Sequence, residues 1–485
     1  MGNVIDFNKY TIPNNLITTE LEGLYGKELL AEMAEIIKCY EIYEKGAGFN
    51  TEGTNGDYVP SDVRFKIIKS LVDKQARFLF SKKPDFTIVP QEVESYNKEA
   101  ISNMQNLVDA VMKDNRITSK LTRAAKDAFI GKRVACILNF NDDGISLRFI
   151  PSLEFIYDVS ESDENSLSKI VCFYTTKDSL NKVNQRIYRK RYWMEAGFCH
   201  FDETIFDGNG NLVENIAEDT QTKLPFIPAV VILNDGLTGD LSGESEVYNS
   251  LELESLYSKM ANNDIDSQRK NMNAIRYVID GDPNSTKDLS IAPGAFWDIV
   301  SDNQTNDKAS ARVGSLETNM TYKDALAESL GRIKNQMYEQ MDLPNIKDIQ
   351  AQLSSGKALK AIYWGLIVRC DEKMNEWGPA LEFIVKSIIE GAKIYPNSIK
   401  KYNLTEDDIN SAPYEVKVEN QYSLPEDESD EKLIDMQEVN SKVMSKKTYM
   451  KKWQGLTDAE AEKEIEQIMR EQAMEDSFGY VPPVE

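Results

Sequence analysis

A long stretch without helix-breaking residues, beginning at residue 242, constrains this chain of 485 residues more than any other feature. Its sequence, SGESEVYNSLELESLYSKMANNDIDSQRKNMN, contains no proline, and no glycine after Gly243. The pattern predicts one helix over residues 242–273, capped at its N-terminus by Ser242. Glu244 and Glu246 stabilise its first turn through the helix dipole. At ~1.5 Å per residue, such a helix is about 45 Å long.

The residues that follow predict that the chain turns and comes back. Residues 274–318 contain β-branched runs separated by Gly-Asp-Pro and Ala-Pro-Gly, which is typical of short strands joined by turns. A second helix is expected from about Tyr322 to Gln340, and a third from about Gly356 to Gly391. A long rod that leaves a body, turns through a small β-rich tip and returns is unusual for a compact enzyme.

The region before residue 240 is expected to mix helices and strands. Apolar residues predict helices in three segments, at 20–45, 62–80 and 96–130. A hairpin is predicted where the strand-like segments 133–139 and 145–150 flank a turn at residues 142–144. Further strands are expected at 170–175, 185–193 and 199–205. Together with the long helices, these elements predict an α+β fold.

The strand-like segment 185–193, QRIYRKRYW, carries the one concentrated basic patch of the sequence. Basic residues interleaved with aromatic residues are able to contact nucleic acid. A solvated sheet strand, or a partner for an acidic neighbouring subunit, has the same composition. Both interpretations stay open at this point.

Beyond residue 425 the chain changes character. The acidic run PEDESDEKLID opens this region. Two helices are expected, at about 428–441 and 457–474, with a further helical turn that starts at Ser445. Their apolar residues are few, so we expect this region to pack against neighbours.

The charge of the chain bounds its interaction with DNA. It carries 56 basic and 80 acidic residues, a net charge of −24. Such a field disfavours tight non-specific binding to DNA, which depends on lysine and arginine neutralising phosphates. Solubility alone explains this surplus, and so does an acidic channel that DNA passes without adhering.

Cysteine usage and hydropathy indicate the compartment. Five scattered cysteines without a Cys-X-X-Cys pair predict neither a zinc ribbon nor a disulfide framework, which fits a reducing cytoplasm. Residues 2–20 lack the apolar core of a secretory signal. No run of about 18 apolar residues suggests a membrane span.

Catalytic signatures are hard to find in this sequence. Its single histidine, His200, is expected in a strand, and no Gly-X-Ser-X-Gly elbow accompanies it. A phosphate-binding loop around Lys357 would need glycine at 351 and serine or threonine at 358, and both positions hold alanine. We therefore expect no catalytic residue, no metal site and no cofactor. The abundant acidic residues leave a two-metal nuclease open.

Four segments of the chain carry a family resemblance. They are VDKQARFLFSKKP at 72–84, LPFIPAVVILNDGLTGDLSGESEVYNSLELESLY at 224–257, LPNIKDIQAQLSSGKALKAIYWGL at 343–366 and VMSKKTYMKKWQGLTDAEAEKEIEQIMREQ at 443–472. In this order and spacing they resemble the portal protein of tailed bacteriophages, in the form found in long-tailed phages of Gram-positive hosts. The resemblance covers most of the chain, although no single segment is as specific as a metal-ligand pattern.

The resemblance implies a portal fold built from successive parts. These are an α/β wing at 1–241, a first stem helix at 242–273, a small β-rich clip at 274–318, a second stem helix at 319–342, a tunnel loop at 343–357, a long helix with a return to the wing at 358–424, and a helical crown at 425–485.

Two groups of site residues follow from the resemblance. The tunnel loop would project into a channel and touch passing DNA through Lys347, Gln350, Gln352, Ser354 and Lys357. The clip would dock partner proteins through Phe296 and Trp297. An ordinary helix–helix loop, and the small core of a β tip, are the plainer interpretations of these residues.

The implied protein is a ring, of twelve subunits by family precedent, at one vertex of the phage capsid in the virion. It would assemble in the bacterial cytoplasm, conduct DNA during packaging and ejection, and hydrolyse nothing. Its implied partners are copies of itself, the large terminase subunit, the head–tail connector, the major capsid or scaffolding protein and, transiently, double-stranded DNA, with no membrane. A metal-dependent DNA-processing enzyme, and an acidic helical scaffold or minor capsid protein without a channel, stay open as alternatives.

Overall fold

The computed structural model describes residues 26–48, 60–91, 97–161, 163–175, 186–272, 275–287, 289, 297–301, 310–316, 321–345, 361–410, 412–422, 428–454 and 461–470. The chain divides into two compact units. The first comprises Met1–Leu343 and Gly365–Tyr422, and the second comprises Pro344–Trp364 and Ser423–Glu485. Helices and strands are both abundant, so the expected α+β class is confirmed.

The strands of the first unit form antiparallel sheets. They are β1 (Asp85–Pro90), β2 (Arg133–Asn141), β3 (Gly144–Pro151), β4 (Phe155–Ser160), β5 (Asp163–Thr175), β6 (Arg186–Glu195), β7 (Phe198–Asp207), β8 (Leu212–Gln221), β9 (Ala229–Leu233), β10 (Ile275–Ile279), β11 (Arg312–Leu316) and β12 (Tyr414–Glu419). β4 to β8 form a five-stranded meander in chain order, and a second sheet has the order β3, β2, β9. β1 pairs with β12, and β10 pairs with β11.

The helices of the first unit include three long ones. In chain order they are α1 (Gly26–Lys45), α2 (Ile67–Leu79), α3 (Lys98–Asp114), α4 (Ile117–Gly131), α5 (Glu246–Met272), α6 (Pro283–Thr286), α7 (Lys323–Gln340), α8 (Trp364–Ile394, entered from the second unit) and α9 (Glu406–Ile409). Within the described ranges, no helix combines the length and the apolar character that crossing a membrane requires.

The core of the first unit joins helices to sheets. Met33 and Ile36 of α1 pack against the five-stranded meander, where Phe173 belongs to the same buried cluster. The middle of α8 is anchored by Trp377, whose fully buried ring meets Phe80 edge to face with 5.0 Å between ring centroids. Burying side chains of this size contributes about 1.5–3 kcal/mol each. α8 is therefore fixed to the body along its buried face.

Left-handed backbone conformations mark two boundaries, one at a predicted turn and one inside a segment that was expected to be helical. The hairpin between β2 and β3 is confirmed, and Gly144 adopts φ +124°, which favours glycine. The segment 96–130, expected to be helical, contains two helices, because Arg116 takes φ 50° and separates α3 from α4. Asn115 stabilises this break: its side chain donates to the carbonyl oxygen of Ile145 at 2.9 Å.

α5 begins at Glu246 rather than at the expected residue 242. Gly243 has φ +75°, and a Cβ at this position would lie 2.5 Å from a backbone carbonyl oxygen, so glycine is required. The N-cap is Ser245, whose Oγ accepts a hydrogen bond from the backbone N–H of Tyr248 at 3.2 Å. Ser242 is therefore not the cap, and the helix is shorter than expected at this end.

The second unit contains α10 (Glu428–Asn440), α11 (Lys446–Gln454) and α12 (461–470) among its described residues. Asp435 of α10 lies 2.8 Å from the Nζ of Lys452 and accepts a hydrogen bond from the indole of Trp453 at 2.6 Å. Lys447 of α11 reaches Glu462 of α12 at 2.7 Å. Polar contacts thus connect these helices with one another.

Candidate functional site at the base of the long-helix pair

α5 and α7 pack side by side in opposite directions. Near the start of α5, the hydroxyl of Ser250 donates to Gln340 Oε1, at the end of α7, across 3.1 Å. Just before α7, Tyr322 donates to Asp264 Oδ1, in the second half of α5, across 3.3 Å. The chain thus leaves along α5 and returns along α7, as the sequence predicted.

Much of this long-helix pair, meaning α5 and α7 together, is exposed. Met337 is the one buried residue of α7, all of whose residues the structure describes, while Leu326 and Leu330 are half-buried. On α5, Tyr248 and Leu256 are 48% and 46% exposed. Both side chains therefore leave apolar surface of α5 exposed in the single chain.

The far end of the pair carries a β-rich tip. β10 follows α5 and pairs along its whole length with β11, from Ile275 opposite Leu316 to Ile279 opposite Arg312. Tyr277 and Val313, one from each strand, are exposed apolar residues of this tip. Tyr277 lies opposite Gly314 and Val313 lies opposite Val278, so each face of the two-stranded tip carries one of these exposed side chains.

Of the two predicted docking residues, the structure describes Trp297. It is half-buried, and the guanidinium of Arg276 lies 5.2 Å from the centre of its ring. Phe296 and the predicted DNA-contacting residues lie outside the described part of the chain. The latter are Lys347, Gln350, Gln352, Ser354 and Lys357.

The base of the pair is a buried ion cluster around Glu246, the first residue of α5. Its carboxylate accepts hydrogen bonds from Lys373 Nζ at 2.7 Å and from Arg369 Nη2 at 2.8 Å, both on α8. Lys373 also donates to Asn234 Oδ1 at 2.8 Å. Burial alone would raise the pKa of Glu246, but the two cations outweigh it and lower this pKa to about 2. The cluster therefore holds the start of α5 against the side of α8.

Arg369 extends the cluster to the end of α7. Its Nη1 donates to Asp342 Oδ2 at 3.2 Å, while its Nη2 bonds to Glu246. Asp342 adopts the left-handed conformation, with φ 50°, which ends the helical path of the chain. The cluster therefore joins the residue that follows α7 to the first turns of α8.

A stripe of buried polar residues runs along α5 at every fourth position. Its members are Ser250, Glu254, Ser258, Asn262 and Asp266. Three of them bind the backbone in or just before α2: Glu254 Oε2 accepts from the N–H of Ile68 at 2.8 Å, Asn262 Oδ1 accepts from the N–H of Val63 at 2.8 Å, and Asp266 Oδ1 accepts from the N–H of Ser61 at 3.0 Å. The first N–H groups of a helix have no intrahelical partner, and Glu254 supplies one to Ile68 in the first turn of α2.

Sequence reasoning missed this stripe, although its fourfold spacing is visible. Within this stripe, Glu254 has a pKa that differs from its ordinary value. Burial raises its pKa to about 7, although the N–H groups of Ile68 and Ala47 act in the opposite direction. A carboxyl group with this pKa changes its charge near neutral pH.

The basic strand β6 lies beside acidic residues of β7. Arg191 donates to Asp202, and Lys190 Nζ lies 3.9 Å from Glu203 Oε2. Tyr192 of the same strand is buried in a core cluster. These contacts favour the interpretation of residues 185–193 as a sheet strand over that of a nucleic-acid contact.

Comparison with known proteins gives one family. The family model described as "Phage portal protein, SPP1 Gp6-like" matches residues 25–477. The match covers most of both compact units, and it includes the long-helix pair and the ion cluster at its base. No curated protein matches the chain significantly.

Proposed function

The chain belongs to the SPP1 Gp6-like family of phage portal proteins, and from this premise we propose that it forms a ring whose central channel conducts DNA into and out of a phage capsid. The observation that carries the proposal is the long-helix pair, which exposes apolar surface along its length. Copies arranged head to tail around an axis would cover this surface with one another. Twelve subunits is the number we propose, by family precedent.

We assign the parts of the ring by the elements that build them. The stem consists of the helices within 242–273 and 319–342, and the clip is the β-rich tip at 274–318. The wing comprises residues 1–241 and the crown comprises residues 425–485. Residues 358–424 contain α8 and β12, and they return the chain to the wing, since β12 pairs with β1.

The tunnel loop, residues 343–357, is the proposed contact with DNA. Lys347 and Lys357 would meet phosphates, and the polar side chains between them would form weak, exchangeable hydrogen bonds. These side chains are Gln350, Gln352 and Ser354. Weak contacts suit a polymer that has to move, because tight ones would stall it. The contact of Asp342 with Arg369 supports this proposal, since it fixes the residue that immediately precedes the loop.

The clip is the proposed docking surface for the large terminase subunit during packaging and for the head–tail connector afterwards. Tyr277 and Val313 are exposed on the clip of the single chain, which supports the proposal that a partner protein covers them in the assembled particle. Trp297, together with Phe296, would anchor these partners, since buried aromatic residues dominate many interfaces. The wing and the crown would face the major capsid or scaffolding protein.

The proposed place of the ring is one vertex of the capsid in the virion, after assembly in the host cytoplasm. The net charge of −24 supports a conduit, because an acidic wall disfavours the phosphate contacts that hold DNA in place. In this role the protein hydrolyses nothing, and terminase supplies the energy.

Imaging of the purified chain by negative-stain electron microscopy, with its mass from light scattering, tests the proposal. Twelve copies of the 55.1 kDa chain would weigh about 660 kDa, and we expect rings with a central hole. A thirteen-fold ring also supports a channel, because rings formed without a capsid can differ in subunit number. A compact monomer or dimer that persists at high concentration contradicts it.

The same preparation separates the two alternative functions. Filaments or shells without a hole would support a scaffold or minor capsid protein. Mg²⁺-dependent cleavage of double-stranded DNA would support a DNA-processing enzyme.

A further inference from the structure

Three side chains with metal-binding chemistry meet on the five-stranded meander, near the turn that joins β6 to β7. Glu195 ends β6, His200 lies in β7 and Asp219 lies in β8. Their ligand atoms, one from each residue, all lie within 4.8 Å of one another. One imidazole and two carboxylates are a donor set that Zn²⁺ and related divalent ions accept.

The register of β6 and β7 brings the first two ligands together. Trp193 lies opposite His200, and Glu195 lies opposite Phe198, so Glu195 and His200 are diagonal neighbours on one sheet face. The indole N–H of Trp193 donates to Glu195 Oε2 at 3.2 Å. Its ring lies beside the imidazole of His200, with 5.7 Å between centroids. Trp193 therefore restrains both the carboxylate and the imidazole.

A β-bulge in the edge strand β8 delivers the third ligand. The pairs on either side of the bulge are Phe201 with Thr220 and Glu203 with Ala217. β8 thus contains one more residue than β7 between these pairs, which re-aims the side chains of the bulge. Asp219 lies in it with φ 39°, and its Oδ1 is 2.8 Å from His200 Nδ1.

A cleft of about 380 Å³ opens on the same face of the sheet, and both Asp219 and Asp202 line it. Asp202 is 5% exposed, and its Oδ2 accepts a hydrogen bond from Arg191. Its Oδ1 is buried and has no hydrogen-bond partner among the described residues. Water does not reach this buried acceptor, whereas Asp219 is exposed and open to water from the cleft.

We propose that Glu195, His200 and Asp219 bind one divalent transition-metal ion of the Zn²⁺ type, with water completing its coordination. The ion ties the edge strand β8 to the hairpin of β6 and β7. Mg²⁺ and Ca²⁺ prefer oxygen ligands throughout, so the imidazole selects against them. This site does not depend on ring assembly or on the channel.

The sequence predicted no metal site, and the reason lies in the spacing of the ligands. Positions 195, 200 and 219 match no compact ligand pattern. Only the strand register and the extra residue of the bulge bring the three side chains together.

Equilibrium dialysis of the purified full-length chain against Zn²⁺, with millimolar Mg²⁺ present, tests the proposal. The excess Mg²⁺ occupies the general acidic surface of a chain with net charge −24. We expect about one Zn²⁺ per chain, with a dissociation constant on the order of micromolar. The five cysteines are buried in the folded chain, so they do not compete.

Variants assign the binding to the three residues. Asp219→Asn and Glu195→Gln keep the shape of exposed side chains, and each should weaken Zn²⁺ binding by about tenfold or more. Glu218→Gln is the matched control, an exposed neighbour outside the three-ligand group, and it should bind Zn²⁺ like the wild type.

Co²⁺ gives an independent readout of the imidazole ligand. Its visible absorption in the wild-type chain should change in His200→Ala, with folding checked by circular dichroism. If His200→Ala does not fold, Zn²⁺ binding by Asp219→Asn and Glu195→Gln tests the proposal instead. A wild-type chain that takes up no Zn²⁺ in excess Mg²⁺, or uptake that Asp219→Asn and Glu195→Gln leave unchanged, overturns the proposal.

Discussion

Asp342 and Arg369 close a loop of the chain: Oδ2 of the aspartate lies 3.2 Å from Nη1 of the arginine, 27 residues further on. The same guanidinium binds the buried carboxylate of Glu246. The first residue of α5, the end of α7 and the beginning of α8 are therefore linked by one side chain. A shift of either helix of the long-helix pair would therefore strain the contacts of Arg369.

Glu246→Gln should destabilise the protein strongly. The substitution leaves Lys373 buried without its counter-charge, and breaking a buried ion pair in this way costs about 3–5 kcal/mol. Chemical denaturation of the variant and the wild type measures the difference. Glu252→Gln, an exposed position on the same helix, is the control and should change stability by less than about 0.5 kcal/mol. Equal stability of Glu246→Gln and wild type would show that the cluster contributes little.

Glu254→Gln should have the opposite effect at alkaline pH. The pKa of Glu254 is about 7 in the folded chain and 4.5 in its ordinary environment, so the folded state binds the extra proton. Wild-type stability therefore decreases as pH rises from about 4.5 to about 7, by at most ~3 kcal/mol. The glutamine keeps an acceptor for the N–H of Ile68 and has no proton to lose.

Melting temperatures at pH 5 and pH 8 measure this effect. The variant should gain relative to the wild type at pH 8 and differ much less at pH 5. Glu252→Gln again serves as the control, and it should follow the wild-type profile. A Glu254→Gln variant that is less stable at both pH values would contradict a raised pKa at this position.

Replacing Lys347 and Lys357 by alanine should weaken the contact of the ring with DNA. DNA binding weakens with salt, and the slope of log K against log salt concentration measures this dependence. Each lost phosphate contact should reduce the magnitude of that slope by about one. DNA binding by assembled rings, measured across salt concentrations, gives this slope. Lys463→Ala, exposed in the second unit, is the control. If the variant forms rings of normal shape and its salt dependence is unchanged, these lysines do not contact the DNA.

Substituting Tyr277 and Val313 together by serine should leave ring formation intact and reduce docking of the head–tail connector. Both side chains are exposed on the β-rich tip, so their loss costs the isolated chain little. Loss of central apolar contacts at an interface typically weakens binding by about tenfold or more. Binding of rings to the connector of the same phage measures it, with Lys287→Ala at the same tip as the control. Connector binding at wild-type strength would place the docking surface elsewhere.

Features that depend on neighbouring residues could be predicted from the sequence. The interior of α5 lacks helix breakers, and the β2–β3 hairpin has a turn that Gly144 completes, so both were expected. The end of α7 was expected before Pro344, because proline disfavours helical backbone at the preceding residue. The family resemblance rested on the same local segments, and the family match confirms it.

Features that join distant residues could not be predicted. From the sequence, Glu246 is an ordinary acidic residue in the first turn of a helix. No neighbouring residue indicates that it binds Lys373, 127 residues later. Ser242 and Ser245 both suit an N-cap, and the choice depends on a carbonyl oxygen that leaves no room for a Cβ at Gly243. The polar stripe of α5 was missed for a related reason, since its partner is the backbone of another segment.

The pairing of β1 with β12 sets a condition on biosynthesis. Asp85 lies opposite Glu419, so β1 cannot pair until β12 has been synthesised. Residue 419 has to leave the ribosome before β1 and β12 can pair, whereas the sheet of β3, β2 and β9 and the meander have all their strands earlier in the chain. Products of interrupted translation lack β12 and cannot complete the body. Only chains translated past this point would be able to take a place beside other copies.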